Sequence, residues 1–231
     1  MAKNIAIIGG TSGIGRATLD RLKSQGHTLH VACRSPKKLS DLNIQPQLFD
    51  ALSPSTLVWP EKLDGLIYFP GTIQLKPFHR LTLEEFQKDL QVNLMGAIVA
   101  LQSALPALRA SGNASVILFS TVAVTQGMPM HASIASAKGA IEGLTKSLAA
   151  EWAPVIRVNA IAPSLTDTPL ASSLLNSDLK KEASAKRHPL QRIGSADELA
   201  GIVEFLFSDA SRFMSGQILH VDGGLSSLKL F

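Results

Sequence analysis

Cysteine is almost missing from this chain. Cys33 stands alone among 231 residues, so no internal disulfide can form, and neither a disulfide framework nor a cysteine-rich metal site is available. A reducing, cytoplasmic setting is the expectation that follows, and no metal is expected. Charge is sparse as well: 17% of residues are charged, and 22 Lys and Arg against 18 Asp and Glu leave a net +4. So small and scattered an excess argues against nucleic acid and membrane lipid as partners. The densest basic stretch, Lys180 to His188, also holds Glu182 and alternates with small residues, as a solvated helix face or an anion-facing flap would. No uninterrupted apolar run approaches the roughly 18 residues of a bilayer span. The first apolar run, Ile5 to Ile8, is too short for a signal-peptide core. Tyrosine occurs once, at Tyr68.

What the chain does have is bulk. With 45% hydrophobic residues and 17 glycines spread along its length, the composition is that of a well-buried globular protein and excludes disorder and fibrous repeats. Length alone leaves one or two domains open. No linker, repeat or low-complexity tract divides the chain, so a single domain over 1–231 is expected. Ile5 to Ile8, closed by Gly9-Gly10, reads as a strand buried on both faces. Gly15 to Gln25 has helical spacing and ends at Gly26. Further strands are expected at Thr28–Ala32, Leu48–Phe49, Leu63–Phe69, Ser115–Ser120, Val155–Ile161 and Gln217–Val221. Between them fall helices after Pro36, over Leu83–Leu108, from about His131 to Trp152 and over Ala196–Phe207. The polar segment Thr168–Leu190 is a weakly helical candidate flap. About seven strands alternating with helices indicate an α/β fold of Rossmann-like, doubly wound type: a parallel sheet with helices on both faces. Ligands bind such sheets at the carboxyl ends of the strands, where strand order reverses.

The loop after the first strand is Gly9-Gly10-Thr11-Ser12-Gly13-Ile14-Gly15. Glycines let backbone N–H groups approach a pyrophosphate, and the positive end of the following helix dipole favours the anion. A cofactor without a 2′-phosphate normally meets an Asp or Glu at the end of the second strand. Here Cys33-Arg34-Ser35 is followed by Lys37 and Lys38. Arg34 can grip a 2′-phosphate through charge-assisted hydrogen bonds; its alternative is a solvated loop charge. NADP(H) is therefore expected over NAD(H), with Arg16 as a second phosphate contact.

At this point the chain resembles the short-chain dehydrogenase/reductase family, from Lys3 to about Gly224. Gly9, Gly13 and Gly15 match that family's G-x-x-x-G-x-G, and Asp50 stands where it places an adenine-contacting Asp. Tyr68-Phe69-Pro70-Gly71 replaces its N-N-A-G. Asn93 is similar to its active-site Asn. Arg157 to Pro163, with Thr166 and Thr168-Pro169, resembles the segment holding the nicotinamide carboxamide. Pro189 to Gly194 and Val221-Asp222-Gly223-Gly224 match its carboxyl-terminal signatures. The resemblance implies cofactor contacts from Gly9, Thr11, Ser12, Gly13, Ile14, Gly15, Asp50, Gly71, Lys138, Pro163, Thr166 and Thr168. It also implies hydride transfer to a carbonyl, or from an alcohol, with Thr121 at the place of the usual Ser, Lys138 as the Lys, and a homo-oligomer, tetramer or dimer.

The departure lies four residues before Lys138. The family's tyrosine position holds Ile134, which has no exchangeable proton, and losing a positioned general acid costs about 10²–10⁴-fold in rate. His131, three residues earlier, is a possible substitute acid and equally a plain helix-start residue. Ser133 points about 100° away from Ile134. Thr121 can donate to a carbonyl oxygen or merely close a strand. Asn93 can be catalytic or a helix-bend residue. Met128, Pro129 and Met130 can wall a substrate site or pack a core. Two readings stand: an NADP(H)-dependent oxidoreductase with a non-standard proton donor, acting on a small carbonyl or alcohol under the flap, and a catalytically silent NADP(H)-binding protein serving as redox sensor or assembly partner. Dehydration or epimerisation on the same fold is a third, for which no dedicated acid–base pair is visible.

Overall fold

In the computed structural model, which describes residues 2–229, strand residues alternate between two cores. In β1 (Asn4–Ile8), Ile5 and Ile7 pack on one face of the sheet, Ala6 and Ile8 on the other, the period-two geometry of a strand covered on both sides. The same alternation divides Leu66 from Ile67 in β4 (Gly65–Tyr68) and Val116 from Ile117 in β5 (Ala114–Phe119). With β2 (Thr28–Cys33), β3 (Gln47–Leu48), β6 (Ile156–Pro163) and β9 (Ile218–Val221), these strands form one seven-stranded sheet in the order β3-β2-β1-β4-β5-β6-β9. Every pairing is parallel. The fold is thus a Rossmann-like α/β domain. Strand order reverses between β1 and β4, and this opens the crevice over their carboxyl ends.

Helices α1 (Gly13–Ser24) and α7 (Ala196–Phe207) cover one face through Leu19, Leu22, Leu199, Val203 and Leu206. Each end of the range 196–207 matches the helix expected from the spacing. A capping box at Ser195 and Glu198 satisfies the first N–H groups of α7. The other face is covered by α3 (Gly96–Ser111) and α5 (Ala132–Trp152).

One sequence expectation is corrected here. The helix anticipated over Leu83–Leu108 is broken into α2 (Leu83–Leu90), a π turn over Gln91–Met95, and α3. The π turn carries Asn93 inward and pairs the carbonyl of Val92 with the Tyr68 hydroxyl, which donates to it at 2.6 Å. Leu83–Ser111 taken as one helical stretch is long and apolar enough by composition to cross a membrane; Ala97, Ala100, Leu101, Ala104 and Leu108 spend that apolarity on the sheet. Three short elements escaped the pattern altogether: α4 (Val122–Gln126), and the parallel pair β7 (Thr166–Asp167) and β8 (Gly194–Ser195).

Gly96 follows the π turn so closely packed that a Cβ there would lie 2.3 Å from the Tyr68 hydroxyl and 2.8 Å from the Ala51 Cβ. Gly96→Ala must push Tyr68 off the Val92 carbonyl. We expect a loss of about 1–3 kcal/mol in urea unfolding, the range for overpacking; an unchanged midpoint would show that the π turn tolerates displacement.

The segment expected as a flap folds as a 3₁₀ turn at Pro169–Leu174 and as α6 (Asp178–Ala185), whose N-cap is Ser177. His188 pins its end. Nδ1 donates to the Ser184 carbonyl at 2.8 Å, so Nε2 accepts the hydroxyl of Ser164 at 2.8 Å.

Candidate active site

The carboxyl ends of β1, β2, β4, β5 and β6 frame one cavity of about 1210 Å³, larger than the roughly 300–1,000 Å³ usual for a single small ligand. Its floor at one end is the glycine loop. Gly9, Gly10 and Gly13 have φ of +97°, +83° and +53°, a region open to glycine and strained for other residues. A Cβ on Gly15 would sit 2.9 Å from the Gly10 Cα, and one on Gly13 3.1 Å from the Thr168 Cβ. The loop is therefore folded tightly on itself and touches the start of the flap. Ser12 is the N-cap residue of α1, yet its side chain makes no capping bond. The first N–H groups of a twelve-residue helix are thus left to face the cavity without the side-chain acceptor that usually satisfies one of them.

Beside this loop, at the end of β2, Arg34 and Lys38 line the cavity. Arg34 is exposed and, among the described residues, has no carboxylate within ion-pair distance. Arg16, expected as a second phosphate contact, does not join them. Its Nε holds Asp20 at 3.0 Å, its other nitrogens hold Asp41, and it lies off the cavity wall. Those two carboxylates raise its already high proton affinity. The reason is spacing: one helical turn puts Asp20 beside Arg16, and the 3₁₀ turn at Pro36–Leu42 brings Asp41 to it. Asp50 also lines the cavity, after the neighbouring strand β3, and its Oδ1 accepts the Leu52 N–H at 3.0 Å.

At the other end of the cavity the tertiary fold gathers Gly71, Thr121, Ile134 and Lys138 on the wall, with Asn93 buried behind Gly71. Thr121 is the N-cap of α4, its hydroxyl oxygen accepting the Ala123 N–H at 3.3 Å. That leaves its hydroxyl hydrogen for a ligand. Ile134 is 5% exposed and sits one turn before Lys138 on α5. Lys138 Nζ donates to the Phe119 carbonyl at 2.8 Å. Burial pulls its pKa down to about 8, and the negative charge of Asp89 partly opposes the fall. Gly71 lets the two polar side chains near it approach: a Cβ there would be 3.3 Å from Asn93 Oδ1 and 3.7 Å from Lys138 Nζ.

His131 also reaches the cavity wall. Its Nδ1 donates to the Pro129 carbonyl at 2.8 Å, which leaves Nε2 without a partner among the described residues. Ser133 does not reach it. Its hydroxyl turns inward and donates to Asp89 at 2.6 Å. Met128, Pro129 and Met130 line the cavity rather than a core, with Met130 forced to a φ of +68°. Pro163, Thr166 and Thr168 complete the wall below the flap.

Thr72, Asp89 and His188 went unnoticed in the sequence. A signal for Asp89 existed: an acid four residues, about one helical turn, before Asn93 shares its face. Thr72 and His188 stand in loops, where no periodicity reports on what a side chain meets.

A family model described as enoyl-(acyl carrier protein) reductase matches residues 41–226. A tropinone reductase homolog of Arabidopsis thaliana is 34% identical over 242 residues, covering 96% of this chain and 92% of the relative. Among solved structures, the ligand-free aldohexose dehydrogenase of Thermoplasma acidophilum superposes with a TM-score of 0.88 at 27% identity, over 100% of this chain and 96% of that one. A short-chain dehydrogenase/reductase of Brucella melitensis, titled glucose/ribitol dehydrogenase, does so at 0.87 and 26%, over 96% of each. A parallel sheet with its crevice at the β1–β4 reversal, a glycine loop under an uncapped helix, and a match over most of the chain agree: the protein belongs to the short-chain dehydrogenase/reductase family of oxidoreductases.

Proposed function

We propose that the protein is an NADP(H)-dependent oxidoreductase that interconverts a small carbonyl compound and its alcohol, with a proton donor other than tyrosine. The observation that carries this reading is a cavity joining the uncapped start of α1 and Arg34, unpaired among the described residues, at one end to Thr121 and Lys138 at the other. The residues fit the dinucleotide: free helix N–H groups suit a pyrophosphate, and the guanidinium of Arg34 with the ammonium of Lys38 suits a 2′-phosphate. Gly9 to Gly15, Asp50, Pro163, Thr166 and Thr168 would hold the rest. Bound there, the nicotinamide supplies or accepts the hydride.

The remaining chemistry belongs to the chain. Thr121 donates a hydrogen bond to the substrate oxygen, where negative charge grows as reduction proceeds. Lys138, one helical turn from Ile134, and His131 at the start of the same helix are the candidates on the wall to carry an exchangeable proton to that oxygen. Ile134, Met128, Met130 and Leu170 make the substrate end apolar and exclude water from the reacting centre. The substrate is a small molecule enclosed below α6. We extend the reading to a cytoplasmic homo-oligomer, supported by family membership and by the lone cysteine.

Ile134 also favours the second reading, a protein that binds NADP(H) without turning over. Titration with NADPH followed by fluorescence, then an absorbance assay over a panel of ketones and aldehydes, separates the two. Saturable NADPH binding with consumption on part of the panel is the expected result. Binding without consumption supports the silent protein, and absence of binding removes both readings.

A further inference from the structure

Asp89 is a fully buried carboxylate that, among the described residues, has no cation bonded to it. Its partners are two hydroxyls, Thr72 donating to Oδ1 at 2.6 Å and Ser133 to Oδ2 at 2.6 Å. The Asn93 amide ties the cluster together, donating to Thr72 Oγ1 at 2.9 Å and to the Asp89 carbonyl at 2.8 Å. That leaves Asn93 Oδ1 buried and without a partner, an arrangement that costs about 1–3 kcal/mol where nothing fills it. The orphan oxygen faces the space beside Gly71, and Lys138 Nζ borders the same space. An ammonium has three donors, of which the Phe119 carbonyl takes one. Unused donors and an unused acceptor therefore converge on one point of the cavity wall. Ile134, on the same wall, places no hydroxyl of its own between Lys138 and a bound oxygen atom.

Resting on the reductase reading, we infer that Lys138 is itself the general acid of this enzyme, and that Asp89, held by Thr72 and Ser133, is a positioning residue that keeps Lys138 protonated. As hydride reaches the carbonyl carbon, the π pair of the C=O bond moves to oxygen. The O–H bond forms as a Lys138 N–H bond breaks, leaving a neutral amine that recovers its proton from water at the cavity mouth. Alcohol oxidation runs the same steps in reverse. A group titrating near 8 is suited to both directions close to neutral pH. Among the described residues, three titratable or charged groups on the elements around Lys138 are held by other partners. His131 at the start of α5 is turned to the Pro129 carbonyl, and Glu142, one turn beyond Lys138, accepts the Ser120 hydroxyl at 2.6 Å. Lys88 of α2 lies on the cavity wall. Arg157 of β6 is bound to the Ser211, Met214 and Leu206 carbonyls.

The sign of the pH effect follows. Reduction needs the ammonium, so its kcat falls as pH rises through the Lys138 pKa. Removing the Asp89 charge lowers that pKa, so the descending limb moves to lower pH. The test is an NMR titration of the full chain labelled with ¹³Cε-lysine, without coenzyme, with Lys138→Met to assign the resonance, beside kcat–pH profiles for NADPH-dependent reduction. Asp89→Asn is expected to move both the NMR midpoint and the kinetic limb down by about 1–3 pH units, the usual effect of a neighbouring opposite charge. Ser133→Ala, which keeps the carboxylate and strips from it one of the hydroxyls that partly neutralise its charge, is expected to move both by less and in the opposite direction, to higher pH, and serves if Asp89→Asn does not fold. An NMR midpoint indifferent to both variants overturns the inference, as does a limb that follows His131→Ala instead. If Lys138 responds to Asp89 while no variant consumes NADPH, the reductase reading fails and takes the acid role with it.

Discussion

Ile134→Tyr is expected to raise kcat for carbonyl reduction by about 10²-fold, the low end of what a well-placed general acid contributes, because Lys138 already donates a proton in the parent. The side chain at 134 is on the cavity wall and one helical turn from Lys138, so the Nζ lies where it can favour the ionised form of a phenol and shuttle its proton. The measurement is steady-state consumption of NADPH with the best substrate of the panel. A change in kcat at nearly constant KM is the pattern of an interaction made in the transition state alone. The descending limb of the pH profile should then belong to the phenol and lose its dependence on Asp89. An unchanged kcat in a folded variant would mean that position 134 does not face the reacting oxygen.

Arg34→Asp should reverse coenzyme preference. On the proposed reading the guanidinium would give a 2′-phosphate charge-assisted hydrogen bonds worth about 1.5–3 kcal/mol, so their loss corresponds to roughly a 10–100-fold weaker Kd for NADPH. The carboxylate that replaces it repels the phosphate and accepts ribose hydroxyls, so NADH binding should hold or tighten. Lys38 stays on the wall and limits the loss. Arg16 gives no such reserve, since Asp20 and Asp41 occupy it. Calorimetric titration with each coenzyme checks the result. An equal loss for both would place Arg34 away from the ribose and weaken the case for NADP(H).

Both variants act at positions that could be named from the chain alone, and the reason is local. Glycines at 9, 13 and 15 between a continuous apolar strand and an amphipathic helix are a short-range signal, and Arg34 follows directly from the end of the next strand. The course of the sheet was legible for the same reason: runs such as Ile5 to Ile8 bury both faces of one strand without reference to anything distant. Helix α7 was legible because its apolar spacing lies in consecutive residues.

Features that depend on two distant segments were not legible. The π turn at Gln91–Met95 arises where the Tyr68 hydroxyl and the close approach at Gly96 meet it, and the helical spacing of 83–108 contains no trace of it. Charge near Arg34 and Arg16 looks alike in sequence; the turn at Pro36–Leu42, by delivering Asp41, pairs Arg16, whereas Arg34 meets no carboxylate among the described residues.

Hydrophobic periodicity and the glycine loop, which act over a few residues, were enough to specify the parallel sheet, the place of the crevice and the nature of its anion-binding end. Which proton-bearing groups share the other end was settled by folding. Thr72, Asp89, Asn93 and Ser133 come from a loop, a helix, a π turn and a second helix, and hydrogen bonds of 2.6–2.9 Å among them exist only once the packed core has excluded the water that would otherwise satisfy each of these groups.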